Sequence, residues 1–418
     1  MARRDGDARL SGFTTRGRCL LAGGIATAAC SLVLNERDLL RIGVFVAMLP
    51  LLGWLLAART RRALRVSRTI TPNRLPVGTD AEVELRLHGT ALLGALRVID
   101  TVPDAAGPLP SAPPRFTVHR LSGRGAAVMT YPLRPVLRGI HRIGPLSGSV
   151  SDPLGLAEFE RRLIEDDRLL VVPRVVALRG MPPALGAGEG TPGAALAHQG
   201  QGASDVLIRQ YRPGDELRRV HWKSTARHDD LMVRLEERPW RGGLTVLLDR
   251  RDAAHRGRGV DSSLEFAITL TASICAHMIA RGEPVQLVTE DGAALTAAPG
   301  VDAVLDALAA LRPSARPDLS GPELTHGNDV LAVLGAVGPG QLEGLLARRT
   351  SGGHAILLDT GTWDPAQRRA GGSAAVASTL RAAGWHVAEA RLGSLPDRVW
   401  DDLTTGGIPD GMRMGMAT

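Results

Sequence analysis

The 418-residue chain is too long for a single ordinary domain of about 100–200 residues, and an apolar share of 44% with 22% charged residues excludes a disordered polymer. Three cysteines, Cys19, Cys30 and Cys275, supply neither a disulfide framework nor metal-finger spacing. The net charge of +7 is concentrated in residues 1–74, where 13 arginines meet only Asp5, Asp7, Glu36 and Asp38; with 3% aromatic residues, the slightly acidic remainder is a poor binder of nucleic acid.

The basic end reads as a membrane anchor. Behind a basic cytoplasmic stretch, 1–18, Cys19–Leu34 is an uncharged run of 16 residues and Ile42–Ala58 a second of 17. Each is about 25 Å long as a helix, short but adequate for a lipid bilayer. Arg3, Arg4, Arg9, Arg16 and Arg18 precede the first run, and Arg59, Arg61, Arg62, Arg65 and Arg68 follow the second, while Asn35-Glu36-Arg37-Asp38 between them is neutral to acidic. The positive-inside rule then predicts two transmembrane helices in the plasma membrane, with the N-terminus and residues 59–418 cytoplasmic. The small residues Ala26-Thr27-Ala28 imitate a signal-peptide cleavage site, but the second run follows at once with its own arginine flank and holds the body inside in either case.

From 66 to 172, short alternating stretches such as Ala81-Glu82-Val83-Glu84-Leu85-Arg86-Leu87 are punctuated by Pro and Gly about every ten residues, which predicts an antiparallel β-sandwich. Residues 181–204, rich in Gly, Ala and Pro, read as a linker. From 240 to 400 the pattern alternates. Strands are expected at Leu244–Asp249, Pro284–Thr289, Asp329–Val337, Ala355–Leu358 and Trp385–Ala390. Helices fall between them at Leu264–Ile279, Val301–Leu311, Gln341–Arg348 and Ala374–Ala383, and 401–418 is a tail. Strands apolar on both faces and separated by helices predict a doubly wound parallel sheet, with Asp249, Thr289 and Asp359 on its carboxyl edge, where such folds bind ligands.

The densest segment, 205–238, carries eight basic and seven acidic side chains over residues 205 to 238. Asp215 suits an N-cap after Pro213-Gly214, starting a helix over Glu216–Arg227 with Arg218, Trp222 and Thr225 on one face. Tyr211 reads as a packed ring with a hydrogen-bonded tip. Of 50 basic residues only Lys223 is lysine. A compact ammonium suits a tight point contact, and chance is the competing reading.

The pattern Tyr211-x-x-Gly214-Asp215-x-x-Arg218-x-x-x-Trp222-x-x-x-Ala226-Arg227, followed by Leu247-Leu248-Asp249, resembles the family called domain of unknown function 58, and Lys223 lies within that signature segment. Arg138-Gly139-Ile140-His141-Arg142-Ile143-Gly144-Pro145 and Asp152-Pro153-Leu154-Gly155-Leu156 are similar to its second set of motifs. The likeness covers residues 19–360 or so. It implies a membrane-anchored cytosolic protein with a β-sandwich and a von Willebrand A-like domain, encoded beside a MoxR-type AAA+ ATPase and a transglutaminase-like membrane protein, of unestablished activity.

That likeness raises a metal question. Adhesion-type Mg²⁺ sites use Asp-x-Ser-x-Ser after the first strand, but here the run is Asp249-Arg250-Arg251-Asp252-Ala253, with Arg and Ala at both hydroxyl positions. Neither metal nor cofactor is expected, and Asp249 and Asp359 are expected to pair with Arg250 and Arg251. Ser262 and Ser263 read as the start of the next helix, and Cys275 as a core thiol. Two functional classes stay open: a non-enzymatic membrane-tethered adaptor, and a membrane-associated hydrolase. The second has no Gly-x-Ser-x-Gly, His-Glu-x-x-His or Gly-x-x-x-x-Gly-Lys-Ser/Thr motif in its support.

Overall fold

The computed structural model describes residues 12–89, 94–103, 114–119, 126–183, 207–210, 232–235, 243–296, 300–319, 329–346, 353–364 and 372–405. The chain divides into two compact units, Met1–Arg174 with Leu308–Leu311, and Val175–Ala307 with Arg312–Thr418.

The first unit begins with a short strand, β1 (Gly12–Phe13), and a helical hairpin. Helix α1 (Thr15–Leu34) starts behind Thr14, whose hydroxyl accepts the Gly17 N–H at 3.2 Å. It stops at Asn35, in the left-handed conformation at φ 55°, and α2 (Arg37–Ala63) runs back. Helix α2 is longer than the uncharged run alone suggests, because the arginines at both its ends are good helix formers and continue it. The two backbones approach closely: a Cβ on Gly24 would lie 2.6 Å from Ala47 N, and one on Gly43 2.6 Å from Ala28 N. Small residues permit such a seam, and the outward residues Leu32, Val33, Phe45, Leu52 and Leu55 are left exposed. Only 17% of each hairpin span is buried. A third helix, α3 (Ser263–Ala280), is also long and apolar enough to cross a membrane, but 61% of it is buried within the second unit, as a core helix should be.

The β region contains β2 (Arg65–Thr71), β3 (Arg74–Pro76), β4 (Ala81–His88), β5 (Leu96–Asp100), β6 (Arg115–Val118), β7 (Ala126–Leu133), β8 (Gly139–Ile143), β9 (Leu146–Ser151), β10 (Ala157–Ile164) and β11 (Asp167–Val172). They form three sheets ordered β1-β10-β9-β5-β6, β2-β4-β7 and β3-β11-β8. Pairing is antiparallel except between β3 and β11, a parallel pair that the sequence pattern does not predict. The period-two pattern of β4 buries Ala81, Val83, Leu85 and Leu87 in one core with Leu96, Val98, Leu146, Leu169 and Val171 from the other sheets. A buried polar group crosses that core. Arg68 donates to Asp167 at 2.6 Å and to Asp100 at 2.8 Å, and Tyr131 Oη donates to Asp100 at 2.6 Å. Burial, with the Asp100 carboxylate alongside, pushes the Tyr131 phenol up and keeps it a donor.

In the second unit, β12 (Leu207–Gln210) and β13 (Met232–Leu235) pair antiparallel, bracketing in sequence the signature residues. The main sheet is parallel throughout and ordered β15-β14-β16-β17-β18, from β14 (Leu244–Leu248), β15 (Val285–Thr289), β16 (Asp329–Leu334), β17 (His354–Leu358) and β18 (His386–Ala390). Counted from β14 the order is 2-1-3-4-5, whose switch point lies between β14 and β16. All residues of β14 and β17 are buried, consistent with helices on both faces: α3, α4 (Val301–Ala310), α5 (Pro339–Leu346), α6 (Gly372–Ala382) and α7 (Pro396–Thr404). The pattern predicts no helix after Ala390; α7 forms because Val399, Trp400 and Leu403 bury one face.

The segment before the linker, 175–183, has no strand partner, and side chains satisfy its backbone instead. Ser273 Oγ accepts Val176 N–H at 2.9 Å, while Trp400 Nε1 donates to Arg179 O at 2.8 Å and the His277 and His354 rings bond Gly180 O and Pro183 O at 2.9 Å. Of the linker predicted at 181–204, residues 184–204 lie outside the described residues.

Candidate functional site

The carboxyl edge of the parallel sheet is where this fold class places ligands, and here the end of β14 beside β16 is occupied by the chain's own side chains. Asp249 follows β14 directly and is fully buried. Its Oδ1 accepts Arg251 Nε at 2.9 Å and Arg251 N at 3.1 Å, and its Oδ2 accepts the other arm of the same guanidinium at 2.8 Å and Gly335 N at 3.3 Å. Arg251 is itself 2% exposed and donates onward to Pro317 O at 2.9 Å. This two-pronged pair is the strong form of a charge-assisted bond, and the planar fork makes arginine the residue that fits. Gly335, at the end of β16, has to be glycine: a Cβ there would lie 2.4 Å from the Ala254 carbonyl oxygen.

Behind the pair sits His255. Its Nε2 lies 2.8 Å from Asp249 O, an acceptor only, so Nε2 carries the proton and Nδ1 accepts Ser263 Oγ–H at 3.0 Å. Burial lowers the His255 pKa more strongly than Asp249 raises it, so the ring is neutral. A serine hydroxyl on a histidine nitrogen has the outline of an activated nucleophile. Ser263, however, is 0% exposed, also accepts Arg256 N–H at 2.9 Å, and stands at the start of α3 where Ser262 caps Glu265. No substrate reaches it, and the group is structural.

A second charged cluster lines the neighbouring strand end. Arg250 Nε is 3.2 Å from the buried Glu290 carboxylate, and Asp291 lies 3.6 Å from Arg250 and 3.3 Å from Arg316. The Thr289 hydroxyl donates to Asp291 at 2.6 Å and, with Ala293 N–H and the two arginines, holds its carboxyl below the usual range. Asp359 does not join either cluster as expected: its one ion pair among the described residues is with Arg391 at 3.8 Å, because its strand end faces the turn after β18. Asp249, by contrast, pairs with Arg251. A magnesium ion does not fit this donor set. Both oxygens of Asp249 are taken by a guanidinium, and Arg251 and Ala253 bring no hydroxyl.

The signature residues Tyr211, Gly214, Asp215, Arg218, Trp222, Lys223 and Arg227 lie outside the described residues. The other motif, Asp152-Pro153-Leu154-Gly155-Leu156, acquires a role that its sequence does not advertise. Asp152 is buried and folds its own turn, accepting Ala157 N–H at 2.6 Å and Leu154 N–H at 2.9 Å. The turn receives the hairpin: Thr14 Oγ1 donates to Gly155 O at 2.8 Å and Thr14 N to Leu156 O at 2.9 Å. Gly17 and Gly53 lie so close that a Cβ would stand 2.0 Å from Leu156 O and 3.0 Å from the Asp152 carboxylate, respectively. Trp54 packs on Phe159 at 6.1 Å, and Ala57 on Ala157 and Phe159. The glycines were the available signal, legible only with the hairpin and the turn side by side.

Residues 207–335 match the family model described as "Protein of unknown function DUF58". The Bacillus subtilis (strain 168) protein named "Uncharacterized protein YeaD" is 26% identical over 245 residues, which span 57% of this chain and 59% of that one. The chain thus aligns with somewhat under two thirds of the curated relative it matches. Among solved structures, the CARDB domain of a Pyrococcus furiosus protein covers 27% of this chain and 94% of its own at 18% identity and a TM-score of 0.20. A non-cellulosomal cohesin from Archaeoglobus fulgidus covers 26% and 91% at 15% and 0.18.

Proposed function

We propose that this chain is a membrane-tethered cytosolic adaptor: the hairpin holds it in the plasma membrane, and the β and α/β units offer docking surfaces. The observation that carries this reading is the Arg251–Asp249 pair. It fills the switch-point end of β14, where this fold class binds ligands, with the chain's own buried cation, which favours a docking role over a reaction site there. The α/β unit is read as von Willebrand A-like with its metal position replaced by that guanidinium. The resemblance to domain of unknown function 58 points to a MoxR-type AAA+ ATPase and a transglutaminase-like membrane protein as partners in envelope-related complex assembly, with Tyr211, Gly214, Asp215, Arg218, Trp222, Lys223 and Arg227 on the partner-facing segment.

The arginine flanks support an orientation with both termini inside. Reporters active only outside the membrane should work when inserted at Glu36 and fail when fused after Thr418; activity at the C-terminal fusion reverses the orientation. For the adaptor itself, the tagged full chain is purified from its own membranes and the retained proteins identified. An AAA+ ATPase in stoichiometric amount supports the reading. Turnover of a small ester or peptide by the pure chain overturns it in favour of the hydrolase.

A further inference from the structure

The hairpin's register shows a surface that the anchor alone does not use. Gly24 meets Ala47 and Gly43 meets Ala28. Six residues further along each helix, Arg18 on α1 therefore comes level with Gly53 on α2. The apolar run of α2 continues past that level through Trp54–Ala58, about 7 Å at the helical rise. Its inner face is sealed by the β unit, with Ala57 only 2% exposed. Its outer face is open at Leu55, which is 57% exposed, and Trp54, although it packs on Phe159, is still 41% exposed. The Asp152 turn docks at this height against Gly17 and Gly53, and its Leu154 is 59% exposed. Arg16, Arg18 and Arg59, all exposed, flank the same level.

We propose that Leu154 on the Asp152 turn, together with Trp54 and Leu55, forms an interfacial foot by which the β unit is seated in the headgroup layer of the arginine-side leaflet. The occupant is lipid rather than a protein. The patch is continuous with the lipid-facing surface of α2 at Leu51 and Leu52, a tryptophan stands at the boundary where aromatic belts form, and the three arginines suit anionic headgroups. The β unit is then no body swinging on a tether. Its joint to the hairpin is made of backbone contacts, Thr14 to Gly155 and Leu156 and the two glycines, so it meets the bilayer in one fixed pose. This inference rests on the membrane-anchored reading above.

The test uses the full chain reconstituted in vesicles of equal parts phosphatidylcholine and phosphatidylglycerol. Cys19 and Cys30 are changed to alanine; Cys275, fully buried, stays. An environment-sensitive fluorophore is placed at Leu154→Cys, with Phe45→Cys as the mid-bilayer control and Ile140→Cys, an exposed β8 position, as the aqueous control. The expected result is that lipids labelled near the headgroup quench Leu154→Cys several-fold more than they quench Ile140→Cys, while aqueous iodide reaches Ile140→Cys alone. Iodide quenching of Leu154→Cys equal to that of Ile140→Cys overturns the foot. Shielding from both quenchers also overturns it, and points to a second copy of the chain on that patch. Lipids labelled in mid-chain should quench Phe45→Cys most; if they do not, the membrane reading itself fails and takes the foot with it.

Discussion

The Arg251–Asp249 pair makes a quantitative demand on the α/β unit. Changing Arg251 to Met keeps the length of the side chain but removes two of the four donors to a fully buried carboxylate, together with the only cation that pairs with it among the described residues. Breaking a buried pair in this one-sided way costs about 3–5 kcal/mol, since the remaining charge has no water and no cation, only two backbone N–H donors. Asp249→Asn makes the reciprocal cut in charge: one amide oxygen is left to accept, and the guanidinium otherwise has Pro317 O and, at 3.4 Å, Ala336 O. Replacing both removes both charges, so the double variant should be less damaged than the two single effects added together, the mark of direct coupling. A chain of two units does not melt in one transition, so the readout is amide exchange of the full chain over peptides spanning 244–255 and 329–336. Asp249 N, bonded to Val333 O at 3.0 Å, reports the strand pair directly. If these amides exchange by opening of this unit, about 3–5 kcal/mol corresponds to roughly 140- to 3,700-fold faster exchange, at about 1.4 kcal/mol per tenfold. Exchange in Arg251→Met within about 0.5 kcal/mol of wild type, the range of an ordinary surface change, or strict additivity in the double variant, refutes the clamp.

Other consequences follow from the same site. Gly335→Ala forces a methyl against the Ala254 carbonyl and should destabilise the unit by about 1–3 kcal/mol in the same exchange assay; no change would mean that the close approach at the end of β16 relaxes freely. His255 has a lowered pKa in the folded state, so the unfolded chain binds more protons in acid, and stability should fall as the pH drops below the unfolded value of about 6.5. His255→Gln should flatten that loss between neutral and mildly acidic pH; an unchanged profile assigns it to other groups. Millimolar Mg²⁺ should not slow amide exchange over the peptides spanning 244–255 in the full chain. A bound ion at 100 times its dissociation constant would add about 2.7 kcal/mol, and added protection of that size abolished by Asp249→Ala would mean the guanidinium yields to metal.

The parallel sheet was legible because its strands are short, wholly apolar and separated by helix-length stretches, so that Leu244–Leu248 and His354–Leu358 announce themselves. The hairpin was legible from its two uncharged runs. The joints were not. Nothing in the local pattern of Asp152-Pro153-Leu154-Gly155-Leu156 says that its carbonyls receive Thr14, which lies 141 residues earlier in the case of Gly155. Arg251 invited the thought of a replaced metal by its position in the Asp249 run, yet only the geometry shows both carboxylate oxygens taken. Ser263 was legible as a helix start but its bond to His255 was not, because a histidine eight residues from a serine has no motif, and Asp359 was misassigned because strand-end residues share an edge without sharing a neighbour. The helix Pro396–Thr404 was missed since a short, charged segment betrays its buried face only when Trp400 is seen beneath the segment that precedes the linker.

The most direct measurement is equilibrium binding of a purified MoxR-type AAA+ ATPase to the full chain in lipid nanodiscs, with Trp222→Ala as the paired variant. The adaptor account predicts saturable binding by the wild-type chain, weakened in the variant, with no turnover of ester or peptide by the chain alone. Absence of binding at every nucleotide state of the ATPase, together with hydrolysis by the chain alone, contradicts it.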